Sequence, residues 1–534
     1  MLLVLRILNS LLLGKRIFLF LFKDWNTRPN LPFPPVKIII FFLFIINLNY
    51  FLYLSIFYKE INLLYIFNLI FNFDMKKIVI IGGGITGLSA AWKLAENGKE
   101  VIIIESSDSV GGLARSVKVD NYYFDIGPHS FFSEDKEVFN AVMNLFRGEP
   151  GEIPFSKRSV KMWFRGRYVD YPLSAKSVLL QMGLISPILS SLSFAKSYIL
   201  SLFVKPKEKE TLTIEEWAIG NFGKYLFLNF FKPYTEQFWK IPTSELSHRV
   251  IPSSKKMDFA KTLKHLLISK YLEISKREPG KLSLVQRESL PSYYPKKGFG
   301  EIAKRISNIV TNKGGKILLN ETVEEIKIIN DKNFEIKTNK GFIDCGCVVS
   351  TIPINKLVPK ILPKPSMEIL DQSSKLQYLS LILVYLITKR KNVLNCQYCY
   401  YINKPYNRIS EMNAFSDNTS PEDKNILSVE ISCLPNSDLL SMKDSDLYDK
   451  CMTSIEKDKI ISKDDIIDYK VLKVSNVYPI YRKDYEKSLN ETNKFFSGIS
   501  NFFSIGRQGQ FYYGDIDQMI RIGFDKAKKI ISDN

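Results

Sequence analysis

From Met75 onward short apolar runs alternate with amphipathic stretches, and that rhythm predicts the elements. Ile78 to Ile81 is an apolar, β-branched run short enough to be a buried strand. Leu88, Ala91, Trp92, Leu94 and Ala95 then recur at helical spacing, and Asn97-Gly98 stops the helix. Val101 to Ile104 is a second buried strand, which completes a strand–helix–strand unit. Downstream, Ser116–Phe124 predicts a hairpin turning at Asp120-Asn121, and Glu137–Phe146 a helix. Two short strands flank Arg165-Gly166-Arg167, and Thr213-Ile214-Glu215-Glu216 carries a capping-box pattern. A helix ending at Val310 leads through Gly314-Gly315 to strand Lys316–Leu319, a hairpin at Asn330-Asp331 and the run Cys347–Ile352. Between 376 and 486, strand-like runs (Tyr378–Thr388, Cys396–Ile402, Ile426–Cys433, Tyr469–Val474) surround one charged helix, about Asp444–Lys457. They predict an antiparallel sheet as the floor of a second domain. The chain closes with a strand running through Phe502-Phe503 into a helix, Gln518–Ile531.

The first turn carries the clearest chemistry. Gly82-Gly83-Gly84-Ile85-Thr86-Gly87 satisfies G-x-G-x-x-G between strand and helix. Gly82 permits the tight turn, Gly84 lets a pyrophosphate approach the backbone, and Gly87 lets helix and strand pack closely. The helix start offers free N–H groups and a positive dipole end. Glu105, ending the second strand, can accept from ribose hydroxyls and repels a 2′-phosphate. The unit therefore predicts a dinucleotide site.

Which dinucleotide follows from Gly111-Gly112-Leu113-Ala114-Arg115, a glycine doublet and a cation just past the second strand. Together these residues resemble the FAD fingerprint of the amine oxidase superfamily, which includes protoporphyrinogen oxidase and UDP-galactopyranose mutase. No second G-x-G-x-x-G follows, so FAD is the expected cofactor and no separate nicotinamide domain is indicated. The resemblance runs through 75–534 in the family's order. It implies an α/β fold: a Rossmann-type, glutathione-reductase-like FAD-binding domain with an inserted α+β substrate domain containing the antiparallel sheet. The FAD-binding domain would comprise 75–135, 293–360 and 490–534, and the substrate domain 136–292 and 361–489. It further implies that Gly127-Pro128-His129 lies against the flavin, that Val323 meets the adenine, and that the strand ending at Ser350 passes under the dinucleotide. Gly506 and Asp517 are expected cofactor contacts where the last helix aims at the flavin, its positive end facing the charge of the reduced ring. Tyr234 and Trp239 stand at the positions of the mutase's substrate-contacting aromatics. His129, Tyr234, Arg507 and Tyr512 are the candidate catalytic residues. A packing role for Tyr234 and Trp239, and an ordinary loop role for His129, are the structural alternatives.

Composition adds limits. The chain has 534 residues and a formal charge of +19, with its lysines scattered and no nucleic-acid motif, so the expected partner is a small-molecule substrate and not nucleic acid; a general attraction to anionic surfaces or substrates is the alternative. Cys345-x-Cys347 and Cys396-x-x-Cys399, with only three histidines, do not make a zinc site. Residues 1–74 are dense in Leu, Ile, Phe and Asn, and Ile38 to Phe57 carries no charge, about the length that crosses a bilayer. Asn47 and Asn49 interrupt it, and Met75-Lys76-Lys77 stands just before the first strand. The extension reads as a mis-extended frame before a cytoplasmic protein starting at Met75; a membrane anchor is the alternative. Ser174–Val204, charged only at Lys176 and Lys196, reads as buried core or as a membrane-touching face. The oligomeric state is left open.

Two reactions compete. One is an FAD-dependent oxidoreductase taking a hydride from an unidentified C–H donor. The other is a UDP-galactopyranose-mutase-like isomerase using reduced FAD on a UDP-sugar. A flavin-binding protein without catalysis is a third class. Arg507 and Tyr512-Tyr513 suit the mutase. Phe132 replaces its second histidine, Gly514 interrupts its tyrosine–aspartate run, and Ser253 stands for a diphosphate-binding arginine beside Lys255 and Lys256. With Ser174–Val204, these departures predict an apolar cleft and favour the oxidoreductase.

Overall fold

The computed structural model describes residues 77–156, 158–164, 166–171, 189, 192–193, 196–197, 212–250, 291–330 and 333–533. The extension 1–74, most of 174–204, the linker 205–210, and Ser253, Lys255 and Lys256 lie outside them.

Strand β1 (Ile78–Ile81) is buried along its whole length and forms the middle of a five-stranded sheet. Helix α1 (Ile85–Glu96) returns the chain to strand β2 (Val101–Ile104), which pairs with β1 from Ile78↔Val101 to Ile81↔Ile104. Cys347–Ser350 lies on the other side of β1, Phe502–Ser504 outside that, and Lys316–Leu318 beyond β2. Every pairing is parallel, which is why these strands read as unbroken apolar runs: both faces must be covered.

Helix α2 (Lys136–Asn144) is capped by Asp135, whose carboxylate accepts the N–H groups of Glu137 and Val138. The C-terminal helix α3 (Ile516–Asp533) lies directly on α1. Trp92 meets Phe524 edge-on at 5.4 Å. A Cβ on Gly523 would stand 2.6 Å from the Thr86 carbonyl oxygen, so the two backbones touch.

A second sheet holds the hairpin Val323–Asn330/Asn333–Thr338 and the strand Gly341–Cys345. The third is seven-stranded and carries the long buried strands Tyr378–Thr388 and Asn425–Cys433. It is mixed rather than purely antiparallel, because Tyr398–Tyr401 runs parallel to Val160–Phe164. Those two strands are far apart in sequence, so no tight turn forces them to oppose. The charged helix spans Asp444–Lys457. A further helix, Tyr485–Ser497, has a mostly charged and polar sequence that gave little apolar periodicity to read. Among the described residues no helix is long and apolar enough to cross a membrane.

Gly523→Ala should destabilise the fold by about 1–3 kcal/mol, the usual cost of forcing a methyl into a closed contact. Urea denaturation measures it; an unchanged midpoint would mean the two helices are not in backbone contact.

Candidate active site

One cavity of about 830 Å³ runs between the parallel sheet and the seven-stranded sheet. At one end the backbone itself forms the wall. Gly82 turns with φ +102°, and a Cβ on Gly87 would collide with its carbonyl oxygen. Gly111 donates its N–H to Gly83 at 2.8 Å, which brings the doublet so close that a Cβ on Gly112 would lie 3.0 Å from the Gly84 Cα. Gly84 caps α1 without any side-chain bond, and Gly84, Ile85 and Thr86 line the cavity. The first-turn N–H groups and the positive helix end thus remain available to an anion. Glu105 accepts the Gly83 N–H at 2.7 Å and the Ser107 N–H at 2.8 Å. Those bonds fix the carboxylate while leaving each oxygen acceptor capacity for a hydroxyl. Arg115 lines the same end and reaches Ser107 Oγ at 3.3 Å. Bare backbone, a helix start, a cation and a fixed carboxylate fit the phosphates and ribose of a dinucleotide.

The other end is polar and aromatic. Arg158, Arg249, Arg408 and Arg507 line it, with Tyr398, Tyr400, Tyr478, Tyr481, Tyr485, Tyr512 and Tyr513. Arg408 grips Glu430 through Nε and Nη2, both at 2.8 Å, with its guanidinium 5.2 Å from the Tyr398 ring and 5.6 Å from Tyr400. Arg507 donates to the Gly514 carbonyl and lies 5.6 and 5.3 Å from the rings of Tyr478 and Tyr513. Arg249 pairs with Glu486 at 2.6 Å. Phe132 is in this wall, facing Arg158 at 5.4 Å. The apolar cleft expected from Phe132 is thus not what surrounds it.

His129 stands between the two ends. Its Nε2 lies 3.0 Å from the Leu113 carbonyl and 3.1 Å from that of Ile126, so this nitrogen carries the proton. Burial pushes its pKa down to about 4, and the charges of Arg507 and Arg408 act the same way, against the two carbonyls. The ring is neutral at pH 7. Beneath it Asp125 is fully buried, accepting from Ser116, from Tyr294 at 2.7 Å and from the Phe299 N–H. Burial raises it to about 6 despite those bonds.

Of the residues singled out from sequence, Gly82, Gly84, Glu105, Gly111, Gly112, Arg115, His129, Arg507, Tyr512 and Asp517 line this cavity. The others stand behind the wall. Gly87 serves helix–strand packing. Gly506 has φ +81°, and a Cβ there would press on Thr86 at 2.8 Å. Ser350 and Val323 are buried at 0 % and 4 % exposure. Tyr234 meets Tyr400 edge-on at 5.7 Å, and Trp239 meets Tyr513 at 6.2 Å, so both back the lining tyrosines. Arg158, Arg249, Arg408, Tyr398, Tyr400 and Tyr478 were missed. Only the alternation Tyr398-Cys399-Tyr400 hinted at them, since strand partners such as Arg408 and Glu430 have no fixed spacing. No cluster able to hold a metal occurs among the described residues.

The two groups, Asp125 and His129, titrate in opposite senses. His129, depressed from its ordinary 6.5, stabilises the fold fully above pH 6.5, and this is lost as pH falls through about 4. Asp125, raised from 3.8, contributes below that value and loses its contribution as pH rises through about 6. NMR of the three imidazoles should therefore place His129 near 4, and His129→Gln should flatten the loss of stability between pH 6.5 and 4. A His129 midpoint at 6 or above would contradict this geometry.

Comparison with known proteins agrees with the cradle. The family model of flavin containing amine oxidoreductase matches residues 85–485. The 1-hydroxycarotenoid 3,4-desaturase of Flavobacterium sp. (strain P99-3) is 23% identical over 289 residues, 52% of this chain and 57% of the desaturase. The match thus spans little more than half of that relative. The crystal structure of reduced UDP-galactopyranose mutase superposes with a TM-score of 0.70 at 20% identity, over 86% of this chain and 94% of the mutase. Wild-type putrescine oxidase bound to putrescine gives 0.58 at 14% identity, over 86% and 99%. The α/β fold with mixed sheets is that of these FAD proteins, and the chain belongs to the flavin-containing amine oxidoreductase family.

Proposed function

We propose that the protein is an FAD-dependent oxidoreductase that removes a hydride from a C–H bond of a small anionic molecule. One observation carries the reading: a single cavity joins the glycine cradle to a wall of four arginines and seven tyrosines. FAD bound there supplies a two-electron acceptor. Gly82, Gly84, Gly111, Gly112 and Arg115 would serve its phosphates and Glu105 its ribose, with Gly87 holding helix against strand behind them. Asp517 is a further cofactor position in the lining, and Val323, Ser350 and Gly506 would support the cofactor site from outside it. The FAD-binding part is 75–135, 293–360 and 490–534; the substrate part is 136–292 and 361–489. We place the enzyme in the cytoplasm.

Arg158, Arg408 and Arg507 give the substrate's anionic group charge-assisted donors, and the tyrosines give its body flat walls. Each of these arginines is already braced, Arg158 by the Tyr398 hydroxyl at 3.0 Å, so the wall is organised before the substrate arrives. Arg507 and the first turn of α3 oppose negative charge that develops on the acceptor side. His129 commits Nε2–H to two carbonyls, and no described residue bonds Nδ1. It is suited to accept a hydrogen bond from the donor and, with a pKa near 4, not to store a proton at neutral pH. Tyr512, 39 % exposed, sits at the mouth, and Tyr234 stiffens the wall through Tyr400.

The same arginine wall favours one second reading. A UDP-sugar's diphosphate would find in it the cations that Ser253 does not supply, and the chemistry would then be a redox-neutral ring contraction.

Gly84→Val should abolish bound-flavin absorbance while the circular dichroism stays native; retained flavin would remove the basis of the reading. Arg507→Ala should slow flavin reduction by the substrate about 100-fold, as loss of a preorganised donor does. Dithionite-reduced protein given UDP-galactopyranose under nitrogen should form no furanose. Turnover there, lost on reoxidation and in Arg507→Ala, would establish the isomerase instead.

A further inference from the structure

We propose that Arg521, outside the cavity, is a positioning residue that sets the distance between the two walls facing the flavin. The inference rests on the FAD reading above. One wall is the loop from Pro128 to Phe132, which ends in Ser133 and Asp135, the cap of α2. The opposite wall is the first turn of α3, where Ile516, Asp517, Gln518 and Met519 line the cavity. Two bonds tie the walls together. Ser133 Oγ donates to Asp517 at 3.2 Å. One turn further along the same face of α3, Arg521 donates to both oxygens of Asp135, from Nε and from Nη2, each at 2.6 Å.

The clamp is part of a wider network. Its third nitrogen, Nη1, reaches Glu137 at 2.9 Å, and Lys528 holds Glu137 from the next turns at 2.9 Å. Arg521 and Asp135 side chains are 25 % and 34 % exposed, and a bidentate pair within such a network also contributes to stability. What a two-pronged fork adds is direction. Asp135 can cap α2 and meet the fork only if the loop's end and α3 keep one separation. The positive end of α3 and the side chains of His129 and Phe132 are thereby held across the same space. A helix end acts on charge only within about its first turn, so a small retreat of α3 weakens its hold on the reduced flavin more than its hold on the oxidised one.

The test uses the full chain loaded with FAD and reads the flavin's reduction midpoint against reference dyes. Arg521→Gln and Asp135→Asn should both keep FAD bound but cut the preference for reduced over oxidised flavin about tenfold, a shift of about 30 mV to the negative side. Asparagine still caps a helix, so the second variant spares α2. Arg521→Lys keeps the charge without the fork and should shift as the glutamine variant does. Midpoints at the wild-type value, with only the melting temperature lowered, would reduce the clamp to a structural pair and overturn the proposal. Full restoration by lysine would also overturn it, making the effect one of charge rather than position. A wild-type chain that takes up no FAD would sink the FAD reading itself, a distinct result.

Discussion

Backbone against backbone is the contact on which this molecule depends. At the end of β1 the chain must turn, start a helix, and admit both a second glycine loop and the C-terminal helix within the space normally claimed by side chains. A Cβ at Gly87 would strike Gly82, at Gly112 it would press on Gly84, and at Gly523 on Thr86. The sequence meets this with glycine where the pieces touch. The same bareness that allows close packing leaves N–H groups at the cavity wall, so packing and phosphate recognition are one constraint. The parallel sheet exists to hold that turn still, and its fully buried strands keep β1, β2 and the strand Cys347–Ser350 in one register.

The opposite side of the cavity is made by distance in sequence. Val160–Phe164 and Arg167–Asp170 join a sheet whose other five strands come after residue 377, which brings Arg158 beside Tyr398, while the pairing of Arg408–Glu411 with Asn425–Cys433 sets Arg408 opposite Glu430. Removing either partner of that last pair would strand a charge in a place nearly closed to water, a far larger penalty than the pair's net contribution. The cleft is therefore committed to its cations. Gly127 lies against this pair: a Cβ there would be 3.9 Å from both Arg408 Nη2 and the Glu430 oxygens. The loop that carries His129 thus rests on the substrate wall as well as on Asp125.

Local features were legible and non-local ones were not. The run Ile78–Ile81, the glycines and Glu105 declare themselves because strand, turn and helix are neighbours in sequence and each residue type has one conformational reason to be there. The hairpin at Asp120-Asn121 and the helix Asp444–Lys457 were readable for the same cause. Arg408 was invisible: its meaning comes from Glu430, placed opposite by strand register, and from two tyrosines on a neighbouring strand. Tyr234, which the sequence allows as a substrate contact or as packing, backs the lining tyrosine Tyr400, a difference of one layer that periodicity cannot see. The parallel pairing of Tyr398–Tyr401 escaped because alternation reports which face a residue takes, not which way its neighbour runs.

Charge then decides what this cavity can do. Its lining carries five arginines against Glu105, Asp515 and Asp517, with Glu430 and Glu486 pairing Arg408 and Arg249 from behind it, and the start of α1 faces into it as well. On the function proposed above, the cofactor's phosphates would occupy the cradle and an acidic group of the substrate the far wall. Between them the same field favours negative charge on the reacting pair and disfavours a positive charge on His129, whose pKa burial lowers first and the charges of Arg507 and Arg408 lower further. A hydride donor that becomes cationic on oxidation, as an amine does, would meet that field at its worst moment. A donor that carries its own negative charge is drawn in by the field and keeps it balanced as the bond breaks. On the function proposed above, the arginines act as a filter on chemistry that favours acidic substrates over amines.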